Sequence, residues 1–306
     1  MNLDWLIKKL KSYEIASADG TAIAAAAALK DFVGQVSAKT PKSLLDELLR
    51  TTRGLRDARQ SSAALQNCLD AIEAAGQNAY IEKRSLDVTR KQIIEACDGF
   101  VARIAKAKER IAEIGAKRIR SGDTLLTLCR STTVLSILKT VAAQGKEIHV
   151  YVAESRPDLE GRMMASDIAE LGLRVTLCTD FAARVFLPDV DHMLAGGEAI
   201  AANGAIVSKV GTAALAELCH EARVRVLIAL GSYKFSKETI VGRLITLEEG
   251  DPDRVVPAGE TSPKVTVRNP LFDVTGAEHI DALITELGII PPQGAYFLLK
   301  PREKGA

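Results

Sequence analysis

The chain has 306 residues, with 40 basic against 39 acidic side chains and a formal net charge of +1. That balance gives no global field to draw in nucleic acid or an anionic membrane, so any anion site must be local. At roughly 100–200 residues per domain the length predicts two domains, and the longest apolar runs, Ala22 to Leu29 and Val226 to Leu230, fall far short of the ~20 residues of a membrane span.

Residues 1–118 carry helix-period blocks from Asp4 to about Gln35, Ser43 to about Ala74, and Tyr80 to about Ile119. In the last of these, apolar residues recur every three or four positions and charges fill the rest, which predicts one long amphipathic helix. Pro41 with Ser43 and the Gly76 region supply the breaks. At Ser121-Gly122-Asp123 the pattern changes. Short apolar runs (TLLTLC, EIHVYVAE, LRVTLCTD, VDHMLAGG, VRVLIAL) alternate with the helix-length segments TTVLSILKTVAAQ, LEGRMMASDIAELG, a short FAARVF, and VSKVGTAALAELCHEAR. This alternation predicts a parallel α/β domain over 119–306 behind a helical domain over 1–118. Lys237 to Pro263 reads as an excursion, and the tail from Val265 returns to the sheet edge.

In open sheets of this kind ligands lie at the carboxyl ends of the strands. The candidates are therefore Cys129-Arg130-Ser131, Glu154-Ser155-Arg156, Thr179-Asp180, Gly196-Gly197-Glu198 and Gly231-Ser232-Tyr233-Lys234. With Ser131 or Thr132 capping the next helix and Arg130 alongside, the Cys129 thiol is expected to be lowered in pKa, as suits a nucleophile or general base. The alternative is a small buried hydrophobe at a strand end. Glu198 follows a Gly-Gly step that permits close backbone approach, and a desolvated carboxylic acid there can exchange protons near neutral pH. Its alternative is a carboxylate stabilised by a helix dipole. Ser208 and Lys209 near a helix start, with Lys234 and Arg59 as isolated cations, are what a phosphorylated ligand needs.

The five cysteines are odd in number and lack a CxxC pattern or a secretory leader, which predicts a reduced, cytoplasmic protein. Neither nucleotide-cofactor motif, GxGxxG or GxxxxGK[ST], is present, and no histidine has a metal-ligand partner at helical spacing, so neither cofactor nor metal is expected. The few scattered aromatics form no base-stacking platform.

The motifs SGDTLLTLCRS, VYVAESRPDLEGRMMA, GGEAIAANGAIVSKVGT, SYKF and VRNPLFDVT…IDALITELGIIPP occur in one order over residues 115–295. They resemble the superfamily of translation initiation factor 2B regulatory subunits, methylthioribose-1-phosphate isomerase and archaeal ribose-1,5-bisphosphate isomerase. ARQSSAALQNCL resembles a further family segment, with Arg59, Leu65 and Asn67 matching, and SYKFSKETIVGRLITLEEGDPDRVVP leans toward the ribose-1,5-bisphosphate isomerase branch.

The resemblance implies a Rossmann-like second domain and a pocket against the helical domain with Arg59 reaching across. It also implies a homodimer or hexamer, and a phosphorylated sugar as substrate with a nucleotide as candidate activator. By the same resemblance Cys129 and Glu198 are the catalytic pair. It puts Arg59, Ser131, Lys209 and Lys234 at positions that hold the sugar phosphate, and Gly20, Arg130 and Ser208 are expected to join them. Three positions depart from the family pattern: Glu198 replaces aspartate, Ser208 replaces asparagine, and Ser17-Ala18-Asp19-Gly20 replaces an arginine-bearing phosphate loop. The lost arginine and asparagine favour a smaller or singly phosphorylated ligand. The resemblance thus leaves two functions open: an aldose–ketose isomerase on a sugar 1-phosphate, with ribose 1,5-bisphosphate as named candidate, and a non-catalytic regulatory subunit that binds a sugar phosphate or nucleotide.

Overall fold

A computed structural model describes residues 2–299; Met1 and residues 300–306, the end of the expected second domain, lie outside the described residues. The chain forms two compact units that divide between Lys106 and Ala107.

The first unit is helical. Helix α1 (Leu3–Lys11) starts where the Asn2 side chain accepts from the Asp4 and Trp5 amides. Helix α2 (Ala18–Gln35) starts at Ser17, which accepts from Gly20. Helix α3 (Pro41–Ala58) opens with a Thr40/Ser43 capping box and proline in its first turn. These side chains satisfy amides that have no partner inside a helix. Helix α4 (Ala63–Ile81) and helix α5 (Leu86–Ala116) follow. The alanine-rich centre of α2 buries Ala22, Ala25, Ala26 and Ala28, so it packs closely against α4.

Two of the expected blocks are each split in two. The first breaks where Tyr13 takes a positive φ of 57°, and the second breaks at Arg59–Ser62. Both breaks have one cause. The fully buried Arg59 leaves the helix at the end of α3, donates to the carbonyls of Ile15 and Ala16 at 3.0 and 3.4 Å, and lays its guanidinium 3.9 Å over the Tyr13 ring. A continuous helix could not bring that side chain to the α1–α2 connection. Gly76 makes no break: it lies inside α4, where a Cβ would stand 3.3 Å from Leu45, Leu48 and Ile93.

Helix α5 buries Ile93, Cys97, Phe100, Ile104, Ala107 and Ile111 at three- and four-residue spacing. The division of the units falls within this helix, not at 118/119. Ile111, Ala116 and Ile119 belong to the core of the second unit, and Lys146 donates to the carbonyls of Ala116 and Ile119 at its end.

The second unit runs β1 (Thr124–Leu128), α6 (Thr132–Ala143), β2 (His149–Ala153), α7 (Glu160–Glu170), β3 (Arg174–Cys178), α8 (Ala183–Phe186), β4 (His192–Gly196), β5 (Ala199–Ile200), β6 (Ile206–Lys209), α9 (Thr212–Glu221), β7 (Arg225–Ala229), β8 (Phe272–Thr275), β9 (Ala282–Thr285) and β10 (Gly288–Ile290). The main sheet has the order β10-β9-β7-β4-β1-β2-β3 and is parallel apart from β10. Both faces are covered, which is why its strands read as continuous apolar runs. Leu125 enters one core with Val134, Val150 and Ile168, and its neighbour Leu126 enters the other with Met193, Leu215 and Ile228.

The tail reaches the sheet edge as β9 and β10. The segment VSK, expected at a helix start, is instead strand β6, paired antiparallel with β5 and β8. Ile206, Val207 and Ser208 are buried there, and Gly211 (φ 96°) turns the chain into α9. None of the described helices is long and apolar enough to cross a membrane.

Two positions hold the strand ends to the helices. At Gly161, in the first turn of α7, a Cβ would stand 1.9 Å from the Ala153 carbonyl oxygen. Gly161→Ala is therefore expected to lower stability by at least about 1–3 kcal/mol in urea unfolding, since backbone must move to relieve the overlap; an unchanged midpoint would show that the β2–α7 junction can yield. Asp273 on β8 accepts from the Gly211 and Ala213 amides at 2.7 and 3.1 Å, and burial pushes its carboxyl up to about 6. The native state then keeps a proton that the unfolded chain has already released. Asp273's contribution to stability is complete below the ordinary carboxylate range and is lost as the pH rises through that value. Asp273→Asn is expected to flatten the stability profile between about pH 4 and 6, measured by denaturant unfolding across that range.

Candidate active site

The loops after β1, β2 and β3 are tied together by a relay of hydrogen bonds. Asp180, just past β3, accepts from the backbone amides of Ser155 and Arg156 at 2.7 and 2.8 Å. The Ser155 hydroxyl in turn accepts from the Cys129 amide at 2.6 Å. Cys129 and Ser155 both sit in the left-handed region, at φ 57° and 63°. Non-glycine residues adopt that conformation only under local compulsion, and here the relay supplies it.

So placed, the Cys129 thiol donates to Oε2 of Glu160 at 2.7 Å. Glu160 is the first residue of α7, entered through Leu159 in a left-handed conformation. Lys209, at the end of β6, has its ammonium 3.6 Å from the same oxygen and 2.6 Å from Asp158 Oδ2. Arg254 from the 237–263 excursion reaches the other Asp158 oxygen at 2.7 Å, and Arg156 donates to the Val255 carbonyl. The excursion is thus fastened to the site by ion pair and hydrogen bond.

The expected low-pKa thiol is not what this geometry produces. Burial and the Glu160 carboxylate push Cys129 well above the ordinary thiol range, and Lys209, which opposes them, is shared with Asp158. The neighbouring guanidinium gives no help. Arg130 turns away to Asp167 on α7, with Nε 2.6 Å from Oδ2. Ser131 does cap α6, accepting from the Val134 amide at 3.3 Å.

A second group of side chains converges on the turn after β4. The Ser208 hydroxyl donates to the Gly196 carbonyl and the Lys234 ammonium to the Gly197 carbonyl, each at 3.1 Å. A Cβ at Gly196 would lie 2.4 Å from the Ser131 hydroxyl, and one at Gly197 within 2.9 Å of Leu230 and Ile206 side chains. The two glycines therefore let Glu198 follow β4 while Ser131 approaches from the neighbouring loop. Glu198 is 7% exposed, and its amide donates to the Val207 carbonyl at 2.8 Å.

Cys129, Ser131, Glu198, Ser208, Lys209 and Lys234 are thus all on the second unit, at strand ends or in the turns that follow them. Gly20 and Arg59 are on the first. The stretch expected to act as a phosphate loop is the capped first turn of α2, with Gly20 donating to Ser17. Arg59 serves the α1–α2 connection. Asp158, Glu160 and Arg254 were not singled out from the sequence. The signal for the two acids lies in PDLEG, where they flank the start of a helix that follows a strand. Among the described residues no group of three or more His, Cys, Asp and Glu is placed to hold a metal ion. The cluster combines a proton-bearing thiol, two nearby carboxylates, an ammonium and a guanidinium, which suits proton transfer on an anionic ligand.

The initiation factor 2 subunit family model matches residues 14–292. The ribose 1,5-bisphosphate isomerase of Pyrococcus furiosus is 41% identical over 298 residues, spanning 96% of this chain and 92% of that protein. The enzyme of the same name from Methanocaldococcus jannaschii is 36% identical over 293 residues, with 96% and 92% covered. Among solved structures, translation initiation factor eIF-2B of Pyrococcus horikoshii superposes with a TM-score of 0.80 at 27% identity over 95% of this chain and 97% of that one. The match extends through both the helical and the α/β unit, and the chain belongs to the initiation factor 2 subunit family.

Proposed function

We propose that the protein is an aldose–ketose isomerase that converts ribose 1,5-bisphosphate to ribulose 1,5-bisphosphate. The observation that carries this reading is the thiol of Cys129, held against a carboxylate at the end of β1 with Lys209 alongside, in a chain 41% identical to an isomerase of that name. A 1-phosphorylated aldose is locked as a ring, so its conversion needs a proton at the ring oxygen and a proton moved from C2 to C1. Glu198 is assigned to the ring oxygen and carbonyl, and Cys129 to C1 and C2.

Phosphate and hydroxyls fall to Ser131, Ser208, Lys209, Lys234 and the amides that open α6. Phosphate must then compete with Asp158 for Lys209. Arg130, paired with Asp167, is left out of this assignment, as are Arg59 and Gly20, which hold the α1–α2 connection and the first turn of α2. The protein is taken to work in the cytoplasm as a dimer or hexamer, with a nucleotide such as AMP as activator.

A second reading, a non-catalytic regulatory subunit, draws support from the likeness to the Pyrococcus horikoshii initiation factor and from Lys209 already being ion-paired. Proton NMR in D₂O separates the two. Ribose 1,5-bisphosphate, ribose 1-phosphate and methylthioribose 1-phosphate are incubated with the protein, with and without AMP. Ketose is expected from ribose 1,5-bisphosphate, and Cys129→Ser should lower turnover by about 100-fold or more with its melting temperature retained. No ketose from any of the three, together with co-purification of an initiation-factor subunit, would favour the second reading. Unchanged turnover in Cys129→Ser would remove the thiol from the mechanism.

A further inference from the structure

A thiol that keeps its proton at neutral pH cannot take a second one from carbon. Cys129 therefore needs a group to receive its own proton before it can act on C2, and Glu198 is engaged at the ring oxygen. The group in contact with the sulfur is Glu160, whose Oε2 accepts from Sγ at 2.7 Å.

Both partners are fixed by their backbones. Cys129 is held in its left-handed turn by Ser155, and Glu160 lies between left-handed Leu159 and Gly161, which is pressed on the Ala153 carbonyl. The pair is thus unlike a mobile surface contact, whose geometry costs side-chain entropy to hold. Among the described residues, these charged groups are joined to it by ion pairs or stand beside it. Glu160 and Asp158 come from the segment after β2, Lys209 from β6 and Arg254 from the excursion, while Arg130 is turned to Asp167. Lys209 can stabilise negative charge on either the sulfur or Glu160, so a proton moving between them stays beside the same ammonium.

We propose that Glu160 is the positioning partner of Cys129 and holds the thiol proton while Cys129 carries the substrate's. In the first step the S–H proton passes to Glu160 and the sulfur takes the proton from C2. The C2–H electron pair becomes a C1=C2 bond as the bond from C1 to the ring oxygen breaks, and that oxygen takes the Glu198 proton. In the second step the C2 hydroxyl returns a proton to Glu198 as the carbonyl forms. The C1=C2 pair takes the proton from Cys129, and Glu160 gives its proton back to the sulfur. No oxidant or further reactant is needed.

This inference rests on the isomerase reading, and its test has one arm that does not. Glu160→Gln keeps the length and shape of the side chain but removes its charge. The activity arm expects kcat to fall roughly 30-fold or more with KM within about threefold of wild type, and Glu160→Asp to recover part of the loss. The second arm follows alkylation of Cys129 by iodoacetamide against pH, read on its own peptide by mass spectrometry, with Cys178 as internal control. Removing the carboxylate that opposes the thiolate should move the Cys129 profile to lower pH and leave Cys178 unmoved.

A kcat within threefold of wild type in Glu160→Gln, or an unmoved Cys129 profile, overturns the proposal. If wild type yields no ketose, the isomerase reading fails on its own account, and the alkylation arm still decides whether Glu160 governs the thiol. If Glu160→Gln does not fold, Glu160→Asp takes its place: a lowered kcat with KM retained supports the role, and wild-type kcat overturns it.

Discussion

The left-handed turn at Cys129 is the constraint on which the site depends. A non-glycine residue held there costs on the order of 1–3 kcal/mol, so the conformation persists only because its surroundings over-determine it. Asp180 holds Ser155, Ser155 holds Cys129, and the three come from the ends of three neighbouring parallel strands. Parallel pairing puts these strand ends at one edge of the sheet, which is what makes so short a relay geometrically available. With the turn fixed, the thiol points at Glu160.

The electrostatics of the site follow from that placement. Two carboxylates and two cations, Asp158, Glu160, Lys209 and Arg254, form one chain of ion pairs that reaches the sulfur through Glu160. Such a set is stable only as a unit, because removal of one partner leaves another partly buried charge uncompensated. The Lys209 ammonium is thus already paired with a carboxylate. Arg254 links that pair to the 237–263 excursion, which has few buried residues of its own and no long element.

The turn after β4 shows the same economy with different parts. Gly196 and Gly197 have no side chains because Ser131, Leu230 and Ile206 occupy the space, and the carbonyls so exposed accept from Ser208 and Lys234. Residues that read as phosphate ligands therefore also shape the backbone that carries Glu198.

Much of this was legible in the order of residues. Period and capping foretold a helical first part and a parallel α/β second part, because burial on one helical face or on both strand faces leaves a repeating mark in the chain. The strand-end rule pointed to Cys129, Ser131, Glu198 and Lys234, and the reading of a helix start pointed to Ser208 and Lys209. The unread parts are those decided between segments distant in sequence. Arg59 breaks a helix to reach Ile15 and Ala16, a contact 44 and 43 residues away that no local window contains. VSK looked helical because it adjoins α9, yet it is a strand because β5 and β8 supply its hydrogen bonds. Cys129 looked acidic beside Arg130, but the guanidinium turns to Asp167 and a carboxylate from 31 residues on takes its place. Chain order determined the helical and the α/β parts and which loops stand at the strand ends. Tertiary structure alone decided the sign of the field at the sulfur, since charge acts through space and adjacency in sequence does not set the direction of a side chain.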